Sequence, residues 1–354
     1  MGDGRVIAPI HDRPAGGLTV THDERGRFDE QVGPFRRELL AHAYQMLGSG
    51  HDAEDAVQQA LVRAWRAWDR YDPARASVRT WLHAIASNTC RDALASRARR
   101  VLPSGLGAPG TDVEQPLVPA TEVAWVSPLP TAALDDGHDD PAAVIVRRGQ
   151  VRLAVIVALQ ALPARQRAVL ILRDVLRFSA AEVADMIGTT TVAVNSTLQR
   201  ARTAVGGIDH DEPESRSRDA ASQGLLQRYT SAFERADLAE LRSLLVADAV
   251  MEMPPVPLWF RGRDDVVGFL ARAYRMRGTD WRVALVGANG QPAFAAYVRD
   301  GDAWTAHSIQ VLDTDADGIT RNDVFFDQNL FEAFGLPLTW DDPWDGTPEE
   351  PTPL

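Results

Sequence analysis

From Phe28 onward the apolar positions recur at helical spacing, in runs that each end at a recognisable break. Phe35, Leu39, Leu40, Ala43 and Leu47 make one apolar face, closed by Gly48 and Gly50. In the next run, DAEDAVQQALVRAWRAWDRY, the buried face is Val57, Leu61, Ala64 and Trp68. Asp55, Gln58, Gln59, Arg63 and Arg66 lie on the other side of that helix, and Asp52 and Asp55 place acid in its first turn, where the helix dipole favours it. A loop, Asp72–Ser77, leads into VRTWLHAIASNTCRDALASRARR. There Trp81, Leu82, Ile85 and Leu94 are apolar-side, and Arg79, Asn88, Arg91, Arg97, Arg99 and Arg100 are polar-side. Trp65, Trp68 and Trp81 could stack on bases, but aromatics at this spacing read first as core.

The pattern stops at 103–140, which is rich in proline, glycine and acid and is read as a linker that does not pack as a domain. Within it, Glu122–Pro130 (EVAWVSPLP) spends a tryptophan and several aliphatics, so a strut packed on the protein's own surface is one reading of it. Periodicity returns with a helix over Leu153–Leu162, a first-turn proline at Pro163, and a buried scaffold helix in ARQRAVLILRDV.

Phe178–Arg202 then reads as a helix-turn-helix. Ser179 and Glu182 have the spacing of a capping box, and Val183 and Ile187 share one face. Gly188 stands where a helix stops and the backbone turns to positive φ. Thr189 and Thr190 offer hydroxyl caps to a second helix, whose Val194 and Leu198 return to the first. Its opposite face carries Thr191, Asn195, Ser196, Gln199, Arg200 and Arg202, the residue types that reach base edges and phosphates.

After a polar segment, 206–221, two helices are expected over GLLQRYTSAFERADLAELRSLLVADAV, then a strand with a proline bend at MEMPPVPLWFRG, and a helix at DDVVGFLARAYRM. Four strands joined by Gly- and Asp-rich turns follow, an order that describes an α+β cone. Asp313–Gly318 imitates the start of a calcium loop, but its twelfth position is Val324, so it reads as a hairpin turn.

Composition changes this picture at one point, the charge. The chain has a net charge of −12, yet 141–205 carry nine Arg against three acids and 26–102 carry twelve against nine. The segment 103–140 has seven acids and no base, and 222–354 have 21 acids against eleven Arg. Two basic modules amid acidic material point to a nucleic-acid partner. A single cysteine, Cys90, excludes an internal disulfide framework and fits a reducing cytoplasm. No run is long and apolar enough to suggest a membrane span, and residues 1–26 are read as disordered.

DAEDAVQQALVRAWRAWDRY with VRTWLHAIASNTCRDAL resembles the first conserved domain of the extracytoplasmic-function (ECF) sigma factors of the sigma-70 family. LQALPARQRAVLILRDVLRFSAAEVADMIGTTTVAVNSTLQRAR resembles their second. The resemblance implies a core-polymerase surface at Asp55, Gln58, Gln59, Arg63 and Arg66, facing the clamp helices of the largest subunit, with the flap of the second subunit as a further partner. It implies −10 melting by Asp72, Arg75, Ser77, Arg79, Asn88 and Arg91, and −35 reading by the recognition-helix residues named above. It also offers a second reading of Glu122–Pro130, as a segment threading the polymerase channel. Many ECF members have a basic residue where this chain has Asn195, so its −35 sequence cannot be copied from theirs; asparagine favours adenine where arginine favours guanine.

The third unit resembles the SnoaL-like branch of the nuclear-transport-factor-2-like fold, at "RG-x-DDVVGFL" and "ITRNDVFFD". In enzymes of that fold an acid/base pair sits in the cone mouth, which makes Glu252, Trp259, His307, Asp323 and Asp327 the candidate pocket. Alternation separates Val324 and Phe326 from Asp323, Phe325 and Asp327 without saying which face is inward.

The expected organisation is 1–26 disordered, 27–102 first sigma domain, 103–140 linker, 141–205 second sigma domain, 206–221 flexible linker, 222–338 cone and 339–354 tail. The fold class is multidomain: two all-α sigma domains followed by an α+β cone. The expected function is promoter-specific transcription initiation, without catalysis, cofactor or metal, regulated in cis by the third domain. RNA polymerase core and promoter DNA are the partners, a small molecule could occupy the cone, and no membrane is involved. The alternative is a helix-turn-helix regulator with a ligand-binding or weakly enzymatic cone.

Overall fold

The computed structural model describes residues 22–95, 98–134, 151–206 and 216–340. The expectations for 1–21, 96–97 (with Arg97), 135–150, 207–215 and 341–354 lie outside them. The chain forms two compact units, 1–97 with 158–209, and 98–157 with 210–354.

In the first unit, α1 (His22–Val32) and α2 (Arg36–Leu47) precede α3 (Gly50–Ala67) and α4 (Val78–Ala95). The periodic positions explain the packing: Leu39, Ala43 and Leu47 of α2 and Val57 and Ala64 of α3 are buried. Ser49 caps α3 by accepting from the Asp52 amide, and Gly48 ends α2 at φ 69°. The tryptophans are spent internally. Trp65 and Trp68 meet Phe28 edge-on at 5.1 and 5.2 Å, and Trp81 meets Trp68 and Tyr71 at 5.8 and 5.0 Å.

The chain passes through α5 (Leu153–Gln160), α6 (Ala164–Leu170) and one π-helical turn (Ile171–Val175) to α7 (Ala180–Ile187) and α8 (Thr191–Val205). Pro163 is the N-cap of α6 rather than its first helical residue. Ser179 and Glu182 form the full capping box on α7, Gly188 takes φ 66°, and the Thr190 hydroxyl caps α8 through the Ala193 amide.

The two helical modules pack together within this unit. Arg79 of α4 donates to the Leu176 carbonyl at 3.0 Å and lies 4.3 Å over the Phe178 ring. Thr80 bonds Glu182 at 3.1 Å, Gln160 donates to the Gln45 carbonyl at 3.2 Å, and buried Arg167 reaches the Met46 carbonyl.

In the second unit, α9 (Arg216–Glu234), α10 (Leu238–Leu244) and α11 (Arg263–Arg277) cover one face of a seven-stranded sheet ordered β2-β1-β6-β5-β4-β3, with a short β7 on β5. Helix α9 begins at Arg216, so 216–221 are helical and not the flexible linker expected there. The strands are β1 (Leu245–Glu252), β2 (Trp259–Arg261), β3 (Trp281–Ala288), β4 (Gln291–Asp300), β5 (Ala303–Thr314), β6 (Ile319–Phe325) and β7 (Thr339–Trp340). Pairing is antiparallel except between β1 and β6, which run parallel with Glu252 opposite Asp323. The helix-facing core includes Tyr229, Phe233, Leu241, Met251, Phe269, Phe294, Leu312 and Val324.

The acidic segment is folded onto this unit. Residues 101–134 form a strap tied to the cone at point after point. Trp259 donates to the Gly107 carbonyl (2.9 Å), and the Gly110 amide donates to the Trp259 carbonyl (2.7 Å). Arg272 donates to the carbonyls of Val113 (2.5 Å) and Gln115 (2.7 Å), and the Ala120 amide donates to the Pro255 carbonyl (2.9 Å). A Cβ built on Gly110 would lie 2.8 Å from Leu258 and 3.1 Å from Phe260, so the strap lies close against β2. Of the two readings of Glu122–Pro130, this structure shows the strut: the Trp125 indole donates to the Ala120 carbonyl, and Val126 and Leu129 are buried.

Candidate functional site

Helix α8 presents its polar face as the spacing requires, with Thr191, Asn195, Ser196, Gln199, Arg200 and Arg202 all exposed. Their side chains are not equally available. Ser196 turns to the Ala193 carbonyl (3.2 Å), Arg200 to the Ser196 carbonyl and the Thr197 hydroxyl (3.3 Å each), and Arg202 is held by both carboxylate oxygens of Asp174 at 2.8 and 2.6 Å. The amides of Asn195 and Gln199 have no such partner among the described residues. A residue that the pattern did not single out, Val192, stands on the same face.

On α3, Asp55, Gln58, Gln59, Arg63 and Arg66 are likewise exposed. Arg63 is partly spent on α4, donating to Thr89 and Asp92 at 3.1 Å each. Val62, a large apolar side chain with 48% of its surface exposed, lies among them.

The loop 72–77 is built by its own polar residues. Asp72 accepts from the Ala74 amide (2.9 Å), and Ser77 accepts from the Thr80 amide (3.1 Å), which makes Ser77 the cap of α4. Arg75 is exposed, and Arg91 donates to the Asn88 side chain (3.2 Å), so these two exposed-side residues hold each other. Arg79 is the exception, half-buried at the joint between the modules and paired with Glu38.

The expected cone pocket is not assembled. Asn322 donates to Tyr229 of α9 (3.1 Å) and Val324 lies in the helix-facing core, so Asp323 points to the other face of β6. There it joins Glu252 and Arg321. Glu252 also accepts from the Ser104 amide (2.7 Å) and hydroxyl (3.0 Å) of the strap. Burial raises the Asp323 carboxyl well above the usual range, against the pull of Arg321. Trp259 is bonded to the strap, and exposed Asp327 accepts from the Asn329 amide in a turn. His307 alone meets the aromatic interior, edge-on to Trp281 (4.9 Å) and Phe326 (5.3 Å), and burial with the nearby Arg277 charge lowers it to about 4. Asp315 accepts from the Asp317 and Gly318 amides, giving the hairpin turn in place of a calcium loop.

Three family models match the chain: Sigma-70 region 2 over residues 32–100, Sigma-70 region 4 over 152–205, and a SnoaL-like domain over 226–322. The ECF RNA polymerase sigma factor SigG of Mycobacterium tuberculosis is 47% identical over 329 residues, 91% of this chain and 87% of that protein. The chain belongs to the ECF RNA polymerase sigma factors. SigJ, another ECF sigma factor of M. tuberculosis, is 30% identical over 263 residues, 72% of this chain and 74% of its own length. The crystal structure of SigJ shares the fold, with a TM-score of 0.57 over 87% of this sigma factor and 99% of that chain, at 24% identity. Helical sigma domains followed by a SnoaL-like domain are therefore the fold. Directing promoter-specific transcription initiation is the function, and a regulator acting without polymerase is not favoured. Sigma-factor relatives are not enzymes. No described helix is long and apolar enough to cross a membrane.

Proposed function

We propose that the SnoaL-like domain restrains this sigma factor in cis by holding the linker that joins its two DNA-reading modules. The observation that carries this is the clasp at Asn289. Its side-chain oxygen accepts from the Leu129 amide (2.9 Å) and its amide donates to the Val151 carbonyl (2.5 Å), so one buried residue of the β3–β4 turn gathers two points 22 residues apart. Ser104 at Glu252, Leu153 at Gln291 (2.8 Å) and Arg152 at Asp313 (2.6 Å) extend the hold.

The physical need for release comes from the DNA. Elements at −10 and −35 are about 25 base pairs apart, on the order of 85 Å along the duplex at about 3.4 Å per step. Two modules packed in one unit of about 150 residues, roughly 40 Å across, cannot touch both. Binding polymerase and promoter then requires the modules to part and the linker to leave its clasp. The extended linker has ample reach, at about 3.3 Å per residue.

In this reading α3, with Asp55, Gln58, Gln59, Val62 and Arg66, faces the clamp helices of the largest subunit, and the second module meets the flap of the second. Asn88, Arg91, Arg75 and, once freed from the joint, Arg79 act at −10; Thr191, Asn195 and Gln199 read −35. The factor works in the cytoplasm with its polymerase. The cone acts as a restraint and not as a catalyst, because its carboxylates at 252 and 323 are turned away from the interior and engaged with the strap and Arg321.

The test is Asn289→Gly, which keeps the left-handed turn (φ 57°) and deletes the clasp. Run-off transcription with core polymerase should rise severalfold, and the amides of Leu129 and Val126 should lose hydrogen-exchange protection in the unbound protein. Loss of that protection with unchanged or lower transcription would refute the restraint.

A further inference from the structure

Val192 is 76% exposed, the highest value among the exposed large hydrophobic residues described. Folding gives no reason for it. A β-branched residue in the first turn of a helix is a mediocre helix former, and here it gains no burial. Its surroundings differ from those of an isolated surface valine. On α8, Val192, Asn195, Ser196 and Gln199 stand at i, i+3, i+4 and i+7, a single stripe along the helix. Ser196 is turned back to its own backbone, so the outward groups of that stripe are one isopropyl and two primary amides. The stripe begins at the helix N-terminus, the end that enters the major groove in helix-turn-helix docking. A groove-facing apolar group has one complementary feature on B-form DNA, the C5 methyl of thymine.

We propose that Val192 is a specificity-determining residue of the −35 contact and packs on the C5 methyl of a thymine. This rests on the reading that α8 docks at −35, and it adds a base preference to it. Asn195, one turn further along, favours adenine through its amide. The selected element should therefore contain an adenine and a thymine read by adjacent turns of one helix.

The probe is a duplex selected by the full-length wild-type holoenzyme from a library randomised over the −35 positions. Each thymine is replaced in turn by deoxyuridine, which removes only the methyl group. At one thymine the wild-type holoenzyme should lose about three- to fivefold in affinity, the size expected for one buried methyl. The Val192→Ala holoenzyme should bind both duplexes equally well. If Val192→Ala remains as sensitive to the methyl as wild type while Asn195→Ala changes the selected sequence, the valine contact is wrong and the docking stands. If neither variant alters the selection, the docking is wrong as well. If Val192→Ala weakens binding to core polymerase and leaves DNA preference untouched, the residue belongs to a protein contact and the inference fails.

Discussion

His42 is fully buried in the first module, 2.9 Å from the Ser87 hydroxyl and 5.5 Å from the His83 ring. Burial, with the neighbouring His83, lowers it to about 3. His83 is lowered too, chiefly by burial and against the pull of Glu38. A histidine kept neutral in the folded state binds fewer protons than it does when unfolded. Its contribution is complete above the unfolded value near 6.5 and disappears as pH falls toward 3. At pH 5 the cost from His42 alone is about 2 kcal/mol at about 1.4 kcal/mol per unit. Thermal melts should therefore lose several degrees between pH 7 and pH 5, with His42→Gln flattening the profile. A melt independent of pH over that range would mean the ring is hydrated. Arg202, expected at the −35 element, is held in a two-point grip by Asp174, a residue the sequence pattern did not single out.

Among the elements, the helix-turn-helix was legible because every part of it is local. Ser179 and Glu182 are three apart, Thr190 caps within its own turn, and Gly188 announces itself by residue type. Ser179→Ala should cost about 1 kcal/mol, the usual loss for a removed cap, and denaturant unfolding of the first unit measures it. A loss within error would show that the Glu182–Thr80 bond, and not the box, secures that helix start. Outside Glu122–Pro130, where Trp125 and several aliphatics suggested a strut, the strap was illegible for the opposite reason. Beside side-chain bonds of Ser104 and Glu114, it is held through backbone atoms of Ser104, Gly107, Gly110, Val113 and Ala120, which no side-chain pattern records, and their partners lie about 135 to 160 residues away. The orientation of β6 was hidden because both faces of the strand are covered, with Asn322 and Val324 against the helices and Asp323 buried beyond them. Alternation then loses its polar-out signal. The aromatic cluster of Trp65, Trp68 and Trp81 was readable as core from spacing alone, whereas the exposed valines at 62 and 192 were not, because exposure is a property of the assembled surface.

For the whole molecule, the basic modules and the acidic third domain expected from the charge pattern are distributed over two units, and the boundary does not follow sequence order. The linker between the modules belongs to the unit of the SnoaL-like domain. Under the proposed restraint, regulation sits in the connection itself. The modules are packed together in the unbound chain, and the proposed restraint requires them to part on polymerase. Cysteines introduced at exposed Asp69 and Thr203 place one dye on each module. The native Cys90 is buried, with its thiol pushed up to about 12, so it stays unlabelled. Single-molecule energy transfer between these sites should be high in the unbound protein and fall to near zero with core polymerase and promoter, as the separation grows from within about 40 Å to roughly 85 Å. High transfer persisting in a complex that is actively transcribing would show that the modules do not part and would overturn the proposed restraint.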